Sequence, residues 1–123
     1  MTDFKFLDSS ILVAYLTKGL FAEIIESENP FAISSLSIFE VKRKFLRDGI
    51  SLNEAEKAIS LIKERAAHIF VADETTAQKA AELSFTKKLP ALDSLIYASA
   101  LINNSELLTT DNDFRGLDKV KVL

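Results

Sequence analysis

The 123 residues are 48% hydrophobic and 27% charged, the balance of a folded globular chain, and the length suits one compact domain over 1–123. A formal net charge of −3 excludes a protein that holds nucleic acid by bulk positive potential and leaves only a local basic rim. Cysteine is absent and His68 is the single histidine, which excludes disulfides, thiolate zinc sites, thiol nucleophiles and multi-histidine metal centres.

Short apolar runs alternate with longer stretches of helical period. Residues 4–7 read as a first strand, followed by a helical pattern over 11–18 that resumes over 21–27 after Gly19. A second strand over 31–34 leads to Ser35 as the N-cap of a helix reaching Arg47, which Gly49 closes. Residues 53–66 place Ala55, Ala58, Ile59 and Ile62 on one stripe of a further helix. A third strand is expected over 69–72, with His68 beside it in a structural role. An alanine-rich helix over 75–86 follows, then one over 91–102 that starts after Pro90. Residues 106–109 and 120–123 complete the set as strands four and five.

Strands alternating with helices imply an α/β fold, a mostly parallel sheet with both faces covered. The longest apolar run, residues 11–16, falls far short of the roughly 20 residues a membrane helix needs. No secretory signal pattern opens the chain, so a cytoplasmic location away from membranes is expected.

Ligands in parallel sheets bind beyond the carboxyl ends of the strands, and acids collect at that edge. Asp8 follows the first strand and Asp111 the fourth. Asp93 lies in the first turn of the helix feeding strand four, so it returns to the same edge. Glu40 lies in the second turn of the helix leaving strand two, within reach of it. Singly, each has an ordinary explanation: helix-terminus charge for Asp8 and Asp93, an Asx turn at Asp111 or Asp113, a Glu40–Lys44 helical pair. Together they crowd without an equal number of bases, and crowded carboxylates demand a cation or protons. A hard divalent cation such as Mg²⁺ suits such an oxygen set, and phosphodiester hydrolysis suits such a metal.

Four segments carry a family resemblance. They are Phe6-Leu7-Asp8-Ser9-Ser10-Ile11-Leu12, residues 33–41 ending in Phe39-Glu40-Val41, residues 89–98 around Leu92-Asp93-Ser94, and Leu107-Leu108-Thr109-Thr110-Asp111-Asn112-Asp113-Phe114. In this order and spacing they resemble the signature blocks of PIN domains, most closely the VapC-type toxins of toxin–antitoxin pairs. The resemblance implies a three-layer α/β/α fold with a central parallel sheet of order 3-2-1-4-5, and Mg²⁺- or Mn²⁺-dependent endoribonuclease activity. Asp8, Glu40, Asp93 and Asp111 match the acidic quartet that binds metal and catalyses. Asp113 is a further carboxylate that shares or replaces the role of Asp111. Ser9 and Thr109 match hydroxyls that hold the acids or a metal-bound water.

The resemblance further implies an RNA substrate, a homodimer and a cognate VapB-like antitoxin covering the acidic groove. Basic candidates for RNA contact are Lys42, Arg43, Lys44 and Arg47 on one helix, Lys87 and Lys88 before Asp93, and Arg115. Two relatives of the same fold stand as alternatives: an RNA-processing or decay nuclease without antitoxin, and a non-catalytic interaction module. Other aspartate enzymes fit less well. A phosphatase of the aspartyl-nucleophile type wants a second aspartate two residues after the first, where this chain has Ser10. A receiver domain wants an acidic pair near strand one.

Overall fold

Five strands form one parallel sheet in the order β3-β2-β1-β4-β5 in the computed structural model, which describes residues 4–123. The strands are β1 (Lys5–Leu7), β2 (Phe31–Ser34), β3 (His68–Phe70), β4 (Leu107–Thr109) and β5 (Val120–Val122). The expected order 3-2-1-4-5 is therefore the observed one. Each parallel pair needs a crossover, supplied by α1 (Ser9–Lys18), α2 (Ala22–Ile25), α3 (Ser35–Arg47), α4 (Leu52–Arg65), α5 (Glu74–Lys87) and α6 (Ala91–Ile102).

The sheet is buried on both faces, so its central strands read as continuous apolar runs rather than alternating ones. Phe6 and Ala32 face a cluster with Ala80, Leu83, Ile96 and Ala98 from α5 and α6. Leu7, Phe31, Ile33 and Leu108 face the opposite cluster, with Ile11 and Leu12 of α1, Val41 and Phe45 of α3, and Ile59 and Ile62 of α4. Three layers result, with α1 to α4 on one side and α5 and α6 on the other. Central β1 pairs with β2 and β4, matching Phe6 with both Ala32 and Leu107. That register sets the carboxyl ends of β1 and β4 side by side.

Several boundaries differ from expectation for local reasons. The cap of α3 is Ser34, not Ser35: its hydroxyl accepts from the Leu36 N–H at 3.1 Å. α4 begins at Leu52, because Ser51 caps it by accepting from the Glu54 N–H at 3.2 Å. β3 lies one residue earlier than expected and ends at Phe70, since Asp73 already caps α5 and Val71 is 75% exposed. Residues 21–27 do not continue α1. Gly19 ends it in the left-handed region at φ +69°, where glycine meets no Cβ penalty, and Phe21 at φ +62° starts the separate single turn of α2. His68 stacks on Phe4 and Phe70 at the sheet border, with ring centroids 5.1 and 5.7 Å away, a packing role as expected.

Candidate active site

Asp8 is the first residue past β1 and the N-cap of α1, which explains its place at the edge. It is 4% exposed, so its charge needs compensation from donors. Oδ2 accepts the Ser10 hydroxyl at 2.8 Å and the Thr109 hydroxyl at 2.8 Å. Each hydroxyl oxygen in turn accepts a backbone N–H from the chain leaving β4, Thr110 on Ser10 and Asp111 on Thr109, both at 3.0 Å. The two protons are thus committed to Asp8, and the knot ties the start of α1 to the loop carrying Asp111. Oδ1 has no hydrogen-bond partner among the described residues.

Asp111 caps the short 3-10 turn Asn112–Phe114, its Oδ1 accepting from the Asp113 N–H at 2.9 Å. This turn curls Asp113 back toward Asp93 in the first turn of α6. One carboxylate oxygen from each of Asp93, Asp111 and Asp113 lies within 4.8 Å of the others. Both aspartates of the β4 exit therefore lie close to Asp93, and of the two only Asp111 also lines the cavity between α1 and α3.

Glu40 stands at the near edge of α3, with the Ser9 hydroxyl donating to its Oε1 at 2.9 Å. Burial raises its pKa, Asp8 and Asp111 add to the effect, and Ser9 and Arg43 oppose it. Asp93 is pushed up to about 7, chiefly by burial and then by the charges of Asp8, Asp111, Glu40 and Asp113. Four carboxylates thus bear on Asp93, and of these Asp111 and Asp113 form the tight group with it, while Asp8 and Glu40 lie outside that group. None takes part in an ion pair among the described residues.

The acids open into a cavity of about 790 Å³ whose walls are α1 and α3. Asp8, Glu40, Asp93 and Asp111 line its inner end, and Arg43, Lys44 and Arg47 line the α3 wall beyond them. The other basic candidates lie elsewhere. Lys42 pairs with Glu56 of α4. Lys87 and Lys88 end α5 outside the cavity, and the Arg115 guanidinium donates to Asn112 Oδ1 at 2.9 and 3.2 Å. Ser10 escaped the sequence reading, although Ser9-Ser10 directly after a strand-end aspartate offers two hydroxyls in capping range. Asp73 only caps α5, and hydrogen bonds from Thr76 lower its pKa.

The architecture is shared with solved proteins of low sequence identity. A toxin–antitoxin complex from Klebsiella pneumoniae matches at TM-score 0.76 and 23% identity over 96% of each chain. VapBC2 from Rickettsia felis, solved with a DNA fragment from its promoter, matches at 0.77 and 18%, covering 98% of this chain and 97% of that one. Mycobacterium tuberculosis VapC20, described as a sarcin–ricin loop cleaving toxin, matches at 0.73 and 16%, covering 92% and 94%. At these identities the likeness speaks for the fold. Comparison with curated proteins gave no match. The PIN domain family model, by contrast, matches residues 5–120, and the chain therefore belongs to the PIN domain family.

Proposed function

We propose that this chain is a Mg²⁺- or Mn²⁺-dependent endoribonuclease and the toxin of a VapBC-type toxin–antitoxin pair. One observation carries the proposal: Asp93 stands within 4.8 Å of Asp111 and Asp113, feels the charges of Asp8 and Glu40 as well, and is driven to about 7, while none of the five is in an ion pair among the described residues. Such an arrangement is unfavourable unless protons or a cation neutralise it, and a divalent ion does so while keeping the carboxylates charged.

The donor set fits a hard divalent ion. Three carboxylate oxygens within 4.8 Å of one another suit a cation that takes oxygen ligands. Asp93, Asp111 and Asp113 would hold the ion, with the charge of Asp8 acting on Asp93. When bound, the ion would lower the pKa of a coordinated water and stabilise charge on a phosphate. The protein's own part is positional. Ser10 and Thr109 fix the Asp8 carboxylate, and Ser9 fixes Glu40 while leaving Oε2 to take a proton from the attacking water. Arg43 and Arg47, on the same cavity wall, meet the phosphates of the strand.

Toxin identity follows the neighbours solved as toxin–antitoxin complexes, and a VapB-like antitoxin, a homodimer and a cytoplasmic location belong to the same proposal. Among the described residues no helix is long and apolar enough to cross a membrane. Titration calorimetry with Mn²⁺, alongside digestion of single-stranded RNA, tests the core claim. Asp8→Asn and Asp93→Asn are expected to abolish cutting while the circular dichroism spectrum stays unchanged. Cutting that persists in excess EDTA would refute metal dependence. Light scattering and co-purification with the product of the adjacent gene test the dimer and the antitoxin.

A further inference from the structure

The groove does not end at the acids. On α1 its lining runs through Ser10, Val13, Ala14 and Thr17, one face followed at helical spacing to the turn beyond Gly19, where Leu20 and Phe21 line the far end. The facing wall is Glu40, Arg43, Lys44 and Arg47 of α3. Seven residues separate Glu40 from Arg47, about 10 Å along a helix, so the groove runs from carboxylates to guanidinium groups and then to an end where Leu20 and Phe21 stand with Lys18 and Asp48.

Two of these features are not accounted for by packing and ion pairs alone, although Phe21 also packs against the core cluster and Arg43 lowers the pKa of Glu40. Arg43 and Arg47 have no carboxylate partner among the described residues, whereas neighbouring Lys44 holds Asp48 at 3.1 Å and Lys42 holds Glu56. Phe21 sits at φ +62°, a region that bulky side chains rarely adopt. The turn is nonetheless fixed there, because the Phe21 carbonyl accepts the N–H groups of Ile24 at 2.9 Å and Ile25 at 3.1 Å. Strained backbone of this kind collects at ligand clamps. Leu20 beside it is left 50% exposed.

We infer that the Leu20–Phe21 end of the groove seats one unstacked base of a single-stranded RNA whose flanking phosphates lie against Arg43 and Arg47. The inference rests on the nuclease proposal and adds the seat that holds one base of its substrate. The charge order of the groove matches the polymer: the acids at the scissile linkage, cations at the next phosphates, an aromatic face for a base. Only an unpaired base can leave its neighbours to stack on a side chain, which selects single strands over duplex. Phe21 is then a specificity-determining residue, with no part in bond cleavage.

The test uses a labelled RNA octamer cut in the presence of Mn²⁺. Phe21→Leu keeps an apolar side chain packed against the core cluster but removes the stacking face. KM is expected to rise about tenfold, with kcat within twofold. An octamer abasic at the seated position should cost wild type the same factor and cost Phe21→Leu nothing more. Since the chain has no tryptophan, Phe21→Trp places a lone indole in the groove. Its fluorescence should be quenched by RNA while KM stays near wild type. Equal KM for wild type and Phe21→Leu, or an equal abasic penalty in both, overturns the inference and gives this end to a partner protein's side chain. Failure of wild type to cut any RNA overturns the nuclease proposal instead, and this inference with it.

Discussion

Replacing Asp93 with asparagine should make the metal-free protein more stable while removing its activity. In the fold this carboxyl is pushed from 3.8 up to about 7, first by burial and then by Asp8, Asp111, Glu40 and Asp113. Between those values the native state holds a proton that the unfolded chain has released, so stability falls as pH rises from about 4 to about 7 and stays low above that. The full displacement corresponds to ~4 kcal/mol. Asp93 is only half-buried, and screening by solvent brings the expected figure to about 1–2 kcal/mol. At pH 8 in EDTA, Asp93→Asn should therefore unfold at a midpoint roughly 3–8 °C above wild type. Near pH 4 the two should coincide. Saturating Mn²⁺ should close or reverse the gap at pH 8, since a ligand present at 100 times its Kd adds about 2.7 kcal/mol to the form that binds it. Thermal denaturation followed by circular dichroism at both pH values, with and without Mn²⁺, reads all three effects. A variant no more stable than wild type at pH 8 in EDTA would mean that the carboxylates do not repel as their placement requires.

The knot around Asp8 gives a second expectation. Thr109 is fully buried and serves both Asp8 and the Asp111 N–H, so Thr109→Val should cost about 2–4 kcal/mol by denaturant titration. Thr109→Ser keeps the hydroxyl and should lose only about 1 kcal/mol, the worth of a methyl group. On α3, Arg43→Ala and Arg47→Ala should each weaken RNA binding and reduce its salt dependence, with the slope of log K against log salt falling by about 0.7 per residue. Lys42→Ala should leave both unchanged because Lys42 is engaged with Glu56; equal effects at all three positions would argue for diffuse charge over a defined track. In the core, Phe6→Ala should cost about 3–5 kcal/mol, since Phe6 is fully buried in the central strand.

Much of this organisation was legible in the residues alone. The strand–helix alternation, the parallel order and the convergence of Asp8, Glu40, Asp93 and Asp111 follow from where apolar runs end and polar ones begin. Legibility failed where a neighbouring residue competes for the same local role. Ser34 and Ser35 are equivalent caps in sequence, and the one ending the strand takes the task because its backbone is still extended. Lys42 and Arg43 are equivalent cations on paper, yet helical pitch turns one toward α4 and the other into the groove. Ser10 was overlooked for the reason that makes it effective. Its partners lie about a hundred positions away, on a loop whose approach only the β1–β4 pairing dictates. Phe21 looked like a continuing helix because periodicity cannot see a change in the sign of φ.

The strand order determines when the acidic site assembles during synthesis. β1 is made early but sits in the middle of the sheet, and one of its two borders is filled only by Leu107–Thr109. Until that segment emerges, Asp8 lacks the Thr109 hydroxyl, and Asp111 and Asp113 have no anchored position at all. A ribosome carrying the first hundred residues therefore displays a chain with at most three of its five acids and no closed edge to hold them. In the proposed nuclease the acidic site is complete only once the last strands have left the ribosome.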